Sequence, residues 1–570
     1  MQYKQSLLKV AALLLPAFAG AQTTYLPQGA HEQHLLERLE IKAGHDSVLN
    51  FSKVQPFSRK QYIPALNRVD TALLTRVDKY NLYLANISNL EWATGDRERF
   101  RSRRAIAKHF YESPANLYEV HEPNFFLAVN PVFQYTVSKE QDNEQHLFQN
   151  TRGIALRGRI ADKIGFAAYV TDNQERNPSY VQGFTLERRA VPGAGFYKDF
   201  KGAGGVDYFD ARGYITFNAA KAIDITFGYD KNFIGNGTRS LFLSDFSAPT
   251  TFLRLNTRIW KFHYQNLFME LNSANRLNAD KLQPKKYAAM HHLDLQVTKW
   301  LNIGLFEGVV FGRTNHFEFG YLVPVIFYRS IEQQNGSFDN SVAGLDVKAN
   351  IAKRFQVYGQ LLLDEFKLSE LKSNKGWWAN KFGWQLGAKY IDAFGIRNLD
   401  LQLEANRVRP FTYSHADSVA NYTHYNQPLA HPLGANFQEF IGTARYQPAP
   451  KWLLQGRMMY YYQGRDTGMS ANGANIFLPN RQFDPATPFN GVPRRTADYG
   501  FNVGGGYRTQ VALASLLVSY QLRPNLFVEG NGVYRHQTTP FGNIGGTAGS
   551  GTFIGTVGIR WNMHRRDFLF

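Results

Sequence analysis

Along most of this chain apolar and polar residues alternate one for one. Leu399, Leu401, Leu403 and Ala405 interleave with Asp400, Gln402, Glu404 and Asn406, the period of a strand with one apolar and one wet wall. The alternation returns in Ile223, Ile225, Phe227 and Tyr229 against Asp224, Thr226, Gly228 and Asp230, and in Leu293, Leu295 and Val297 against His292, Asp294 and Gln296. Between Ala405 and the next alternating run, Phe437 to Tyr446, lies a loop, Arg407 to Gly434, crowded with Tyr, His, Asn and Pro. Strand, long loop and strand, repeated around a closed circle in a bilayer, make a barrel whose polar face turns inward.

Runs of this kind begin near Phe125, Thr151, Gly165, Asp207, Ile223, Thr251, Trp260, Ala288, Leu301 and Phe317. They continue near Val342, Phe355, Lys381, Arg397, Phe437, Trp452, Gln510, Leu526 and Thr552. Their count is odd, whereas single-chain bacterial barrels use even numbers, so one run is surplus or one is missed and about 18 strands are expected. Pro324 interrupts Phe317 to Tyr328, which makes it the weakest of the set. Short turns such as Pro524-Asn525 separate neighbours on one rim, while Asn173 to Val206 and Gly464 to Asp498 are long and polar. The pattern predicts an all-β fold: a transmembrane antiparallel outer-membrane β-barrel over residues 124–570.

The first stretch of the chain follows another period. Lys4 and Lys9 precede the apolar run Val10 to Phe18, and Ala19-Gly20-Ala21 supplies the small residues of a cleavage site, so residues 1–21 read as a signal peptide. Residues 22–123 read as a small helical cap on the periplasmic side. From Pro64 onward Leu66, Val69, Leu73, Val77, Tyr80, Leu84 and Ile87 recur at spacings of three and four, predicting one amphipathic helix, and Glu32 to Lys42 predicts a shorter one. The basic run Arg97 to Lys108 reads as a solvated face. At the other end Phe553, Val557, Ile559, Trp561 and Met563 alternate with polar residues before the aromatic Phe570, an ending that resembles the signal read by the barrel-insertion machinery.

Composition sharpens this picture in four ways. Aromatic residues make up 15% of the chain and glycines number 48, which suits barrel girdles and close strand packing. A mean hydropathy of −0.37 is compatible with a membrane barrel, because alternation hides the apolar band. With no cysteine a disulfide scaffold is excluded. The net charge of +18 can attract acidic polysaccharide or lipid phosphates, and export argues against nucleic acid.

The segment Phe227-Gly228-Tyr229 through Gly235-Asn236-Gly237-Thr238-Arg239-Ser240-Leu241-Phe242-Leu243-Ser244 resembles the central motif of the Wzi-type capsule-assembly family. In that motif a strand glycine leads to a Trp-Gly-Pro-Gly turn and a Ser-Leu-Leu-Leu-Ser run. Gly235, Gly237, Ser240, Leu241, Leu243 and Ser244 match; Phe233 or Ile234 stands in place of tryptophan, and Asn236 in place of proline. Arg409 to His415 and His424 to Asn436 are similar to the Bacteroidetes branch, some members of which carry the name gliding motility protein RemB. The resemblance implies an 18-stranded barrel with a periplasmic helical bundle and a lectin-like role in holding capsular polysaccharide. The branch implies surface motility as an alternative, and a porin or transport channel is a third reading.

Candidate chemistry concentrates in the same loop. Tyr413, Tyr422 and Tyr425 can stack on sugar rings, His415, His424, Asn421, Asn426 and Gln427 can pair with hydroxyls, and Arg407 and Arg409 can hold carboxylates. The same residues can instead fold the loop into the lumen as a plug. His415, His424 and His431 have no compact metal spacing. The chain has no G-x-S-x-G elbow, and Asp364 and Glu365 point to opposite faces of one strand, so neither a cofactor nor an enzyme is expected.

Overall fold

The computed structural model of the chain describes residues 23–94, 100–102, 109–161, 163–273, 282–313, 316–466, 471–480, 496–541 and 546–570. The expected signal peptide and most of the basic run Arg97 to Lys108 lie outside the described residues.

Period-two alternation folds as expected, into a closed antiparallel barrel of 18 strands. In chain order they are β1 (Phe125–Glu140), β2 (Leu147–Ile160), β3 (Ile164–Arg176), β4 (Gly205–Ala220), β5 (Ile223–Asp230) and β6 (Thr250–Ile259). Then come β7 (Phe262–Asn272), β8 (Lys285–Gln296), β9 (Leu301–Phe311), β10 (Asn340–Ile351), β11 (Phe355–Glu365) and β12 (Lys381–Tyr390). The circle finishes with β13 (Leu399–Val408), β14 (Phe437–Tyr446), β15 (Trp452–Arg465), β16 (Tyr507–Arg523), β17 (Leu526–Phe541) and β18 (Gly546–Trp561). Closure comes from β18 on β1, with Trp561 opposite Phe133 and Ile554 opposite Glu140.

The wall sorts its residues by face. Leu345, Val347, Val357, Leu361, Leu386 and Leu403 are exposed on the outside, an apolar band of a size that water does not tolerate and lipid does. Trp260, Trp300, Phe355, Phe394 and Trp452 are exposed near the short-turn rim, as an interfacial aromatic girdle requires. Among the described residues no helix is long and apolar enough to cross a membrane, so the strands make the crossing.

Of the strand-like runs, Phe317 to Tyr328 is the surplus one. It forms a 3-10 turn, Phe319–Leu322, and then a helix beginning at Tyr328; Pro324 has no N–H to give a ladder. The amphipathic stretch from Pro64 to Ile87 also differs from expectation, because it is broken rather than continuous. Helix α1 spans His31–Ala43, α2 spans Arg59–Arg68 with Pro64 inside it, and α3 spans Arg76–Ser88. Asp70 caps a 3-10 turn between the last two, and Thr75 with Asp78 forms a capping box that restarts the helix. Leu35, Leu36, Leu39, Tyr62, Ile63, Leu66 and Leu74 make the core of this unit.

The unit closes the short-turn end of the barrel. Arg38 bonds Asp78 at 2.7 Å and also reaches Asp392 and Asp400, and Lys42 bonds Asp78 at 2.6 Å and Asp392 at 3.1 Å. Asp392 lies in the turn between β12 and β13, so the pairs join helix to rim. Burial pushes the Asp78 carboxyl up, but Arg38 and Lys42 outweigh it and hold it at about 2. The C-terminal residues differ from a strand that ends in an aromatic. The last strand stops at Trp561, and residues 562–570 turn into the lumen, where Phe570 packs on Tyr180, Phe184 and Phe246.

Candidate functional site

Two segments from the long-loop rim fold into the lumen and meet there. The first, residues 231–249, joins β5 to β6 and contains the glycine-rich turn. Its Phe233 and Ile234 pair antiparallel with Gln55 and Val54 of the N-terminal unit. Ser240 organises the turn that follows: its hydroxyl donates to the Ile234 carbonyl at 2.5 Å and accepts from the N–H groups of Phe242 and Leu243. Wall residues finish the job, with Gln360 accepting from the Leu241 N–H at 2.8 Å and Glu404 accepting from Thr238 and Arg239 at 2.7 and 3.1 Å. A side chain at Gly237 would start 2.4 Å from Glu404 Oε2, so the backbone approaches the wall only because this residue is glycine. Gly228 meets a similar constraint on β5, where a Cβ would stand 2.5 Å from Tyr214.

The second segment, residues 409–436, joins β13 to β14. Tyr413 and Tyr422 stack with ring centroids 5.4 Å apart, and their hydroxyls donate to the Leu241 and Phe242 carbonyls at 2.8 and 2.6 Å. Lys286 of β8 pins the loop by donating to Asn421 and Thr423. Leu241, Phe242, Leu243, Tyr413, Tyr422, Leu429 and Ala435 belong to one buried apolar cluster with wall residues Leu267, Met290 and Phe306. The lumen is therefore closed by a packed core.

These contacts fix where the expected binding residues lie. Tyr413, Tyr422 and His424 are buried in the plug. His424 accepts the Asn272 N–H on Nδ1 at 2.9 Å and gives its Nε2 proton to the Pro249 carbonyl at 3.0 Å. Burial lowers its pKa to about 3 against the opposing bond to Pro249, so the ring is neutral. Arg409 is half-buried and donates to the carbonyls of Asn380, Trp377 and Phe501. Asn426 and Gln427 bond Arg188 and Gly193 of the neighbouring long loop. Arg407, His415 and Tyr425 are partly exposed. Arg407 is on the outer face of β13, His415 packs edge-on against Phe338, and Tyr425 lies edge-on to His424.

His431 lies apart from the other two loop histidines, 2.7 Å from Glu439, which also takes Arg239 at 2.8 Å. Among the described residues no three His, Cys, Asp or Glu side chains converge on a metal-sized site. Asp364 faces inward and accepts the Tyr413 N–H at 2.7 Å, while Glu365 is exposed and pairs with Lys381 at 2.8 Å.

Beneath the plug lies a cavity of about 620 Å³, lined by the helical unit, the glycine-rich turn and the C-terminal tail. Its cations are mostly countered within the lumen: Arg212 by Asp210 at 2.5 Å, Arg457 by Asp567 at 3.0 Å, and Arg566 by Glu175. Burial pushes the Asp567 carboxyl up, yet Arg565 and Arg457 hold it well below the usual carboxylate range. Arg445 donates instead to Gln455 at 3.5 Å, and Lys231 to the Asp245 carbonyl at 2.8 Å. Sequence reading missed this inner ring. Arg212, Arg445 and Arg457 are legible only as lumen-phase positions of alternating strands, and Arg565 and Arg566 follow the last alternating run.

The model of the capsule assembly protein Wzi family matches residues 130–541. Among solved structures, the Escherichia coli outer-membrane protein Wzi, described as a carbohydrate-binding β-barrel involved in group 1 capsule assembly, aligns at 13% identity with a TM-score of 0.56, over 95% of this chain and 100% of that one. Pseudomonas aeruginosa OprD aligns at 12% identity with a TM-score of 0.40, over 76% of this chain and 94% of that one. No curated protein matches by sequence.

Proposed function

Starting from the chain's membership of the capsule assembly protein Wzi family, we propose that this outer-membrane barrel binds or organises exported polysaccharide at the cell surface, without catalysing a reaction. The observation that carries the reading is the plug: with the lumen filled by an apolar core between residues 231–249 and 409–436, the working surface is the loop rim rather than a pore. In this reading residues 22–123 form the periplasmic cap, residues 124–570 form the barrel, and the long loops face outward. Of the residues singled out for glycan contact, His415 and Tyr425 have partly exposed side chains on the loop, whereas Arg407 is on the outer wall of β13. Arg409, Tyr413, Tyr422 and His424 act by holding the loop in shape. A packed plug also weighs against the channel alternative.

The test is deletion of the gene. Loss of attached capsule while polysaccharide persists in the medium is the expected result, and Tyr425→Ala should then weaken retention without removing the barrel from the membrane. An intact capsule with impaired spreading would favour the gliding-motility branch, a reading supported by the likeness of residues 409–415 and 424–436. No change in either would sink both surface readings.

A further inference from the structure

Three polar side chains sit on the outer, lipid-facing wall of the barrel. His291 of β8 stands opposite Glu307 of β9, and Tyr264 of β7, paired with Leu293, lies diagonally from His291, all three in outward phase and alternating with the inward Gln265, His292 and Phe306. His291 Nε2 lies 3.0 Å from Glu307 Oε2, and the Tyr264 hydroxyl lies 3.1 Å from His291 Nδ1. The three strands are 11, 12 and 11 residues long, close to the length that crosses the hydrocarbon layer. His291 and Glu307 stand near their middles, where an ionisable pair facing acyl chains is costly.

Residues 316–339, in the connection from β9 to β10, fold back over this wall and cover the pair. Phe317 packs on Phe268, Tyr287 and Phe311, Tyr321 packs on Phe311, and Tyr328 stacks on His291 with centroids 4.4 Å apart. Glu307 accepts the N–H groups of Tyr328 and Arg329, both at 2.9 Å, and the Tyr264 hydroxyl donates to the Pro324 carbonyl. Irregular backbone survives in a bilayer only where its polar groups are satisfied. Here the wall residues supply partners, and Pro324 has no N–H to satisfy.

From Phe319 to Phe327 the outer face of the same segment is apolar, and the exposed side chains turn polar at Arg329 and Ser330. Phe319 is 83% exposed, Val325 83% and Phe327 77%. The cation beside them, Arg329, is held by Glu332 at 2.6 Å. These residues continue the exposed apolar band that Leu305 and Leu345 begin on β9 and β10. We propose that residues 317–328 form a membrane-embedded strap, lying between the barrel wall and the acyl chains of the outer membrane. Phe319, Val323, Val325 and Phe327 contact lipid, and His291 with Glu307 fastens the strap to the wall. The strap converts a polar patch at membrane depth into an apolar one.

The absence of cysteine makes the test direct. Full-length Phe319→Cys, Val325→Cys and Phe327→Cys variants, each labelled with an environment-sensitive fluorophore, are reconstituted in phosphatidylcholine vesicles with or without brominated acyl chains. Leu305→Cys on the bare wall and Leu186→Cys on the 177–204 loop serve as references. Brominated lipid should quench the strap probes as fully as the Leu305 probe, and aqueous iodide should quench only the Leu186 probe. Quenching of the strap probes by iodide and not by brominated lipid would overturn the proposal, and would make the apolar face a protein contact outside the bilayer. Adding Glu307→Ala to Val325→Cys should shift quenching from brominated lipid toward iodide, with heat-modifiable gel migration reporting that the barrel is intact. An unchanged profile in that intact barrel would remove the pair as the fastening.

Discussion

The Tyr413 hydroxyl donates to the Leu241 carbonyl at 2.8 Å across 172 residues of sequence, and so joins the two segments that close the barrel from the loop rim. The neighbouring bond from Tyr422 to Phe242 repeats the connection at 2.6 Å. Each segment has only a two-residue ladder, Phe233–Ile234 on Val54–Gln55 and Thr423–His424 on Gln427–Pro428, so side-chain hydroxyls meet the buried carbonyls elsewhere.

Tyr413→Phe and Tyr422→Phe therefore each leave a buried carbonyl unpaired, at a cost of about 1–3 kcal/mol. Because the rings stack, the double variant should depart from the sum of the singles. Thermal unfolding of the purified barrel in detergent checks both statements, and additive losses would show that the two bonds act independently.

Among the described residues Leu241, Phe242, Tyr413, Tyr422 and Leu429 pack into one apolar cluster inside the lumen. In planar bilayers the intact protein should give no stepwise ion current. Well-resolved open levels in the wild type would contradict the plug and revive the channel reading.

His424 ties loop stability to pH. Burial lowers its folded pKa to about 3, against about 6.5 in an unfolded chain. The unfolded form binds the proton first, so stability is complete above the ordinary histidine value. Below it, stability falls by about 1.4 kcal/mol per pH unit until the folded value is reached. Protease nicking of residues 409–436 should rise on acidification, and His424→Gln should flatten that dependence. Nicking that is flat with pH in the wild type would refute it.

How far the sequence carried this picture depends on which force acts at each position. Alternation in residues such as Leu399 to Asn406 is written locally, because a strand between lipid and lumen has one apolar face wherever it falls. The strap from Phe317 escaped that reading: lipid-facing irregular backbone has the composition of a strand, and only Pro324 betrayed it. The break between α2 and α3 was hidden because Leu66, Val69, Leu73 and Val77 keep helical spacing across the Asp70 and Thr75 caps. In the candidate loop the aromatic and polar composition was legible, whereas the burial of Tyr413 and the exposure of Tyr425 depend on residues 231–249, far away in the chain.

Gly237 tests how closely that lumen segment must approach the wall. A Cβ there would lie 2.4 Å from Glu404 Oε2 and 2.9 Å from the Arg239 carbonyl, and one of those atoms is backbone. Gly237→Ala should destabilise the plug by about 1–3 kcal/mol through overpacking. A Cβ at Gly456 would meet nothing within 4 Å, so Gly456→Ala is the matched control in the same melting experiment.

Lys53 fastens the helical unit to the interior. Its ammonium lies 3.0 Å from Asp294 and also reaches Asp346, and its side chain is 1% exposed. Burial pulls the ammonium pKa down, but the two carboxylates outweigh it, so the group stays charged. Lys53→Met preserves much of the stem while leaving two buried carboxylates without their cation, a loss of about 3–5 kcal/mol. Because Val54 and Gln55 form the pairing with Ile234 and Phe233, the damage should spread from the cap to the glycine-rich turn. Limited proteolysis should release the N-terminal unit from Lys53→Met while the strands remain folded. Restoring neutrality with Asp294→Asn and Asp346→Asn in the same background should recover some of the resistance, and no recovery would show that packing of the stem, rather than charge, holds the cap in place.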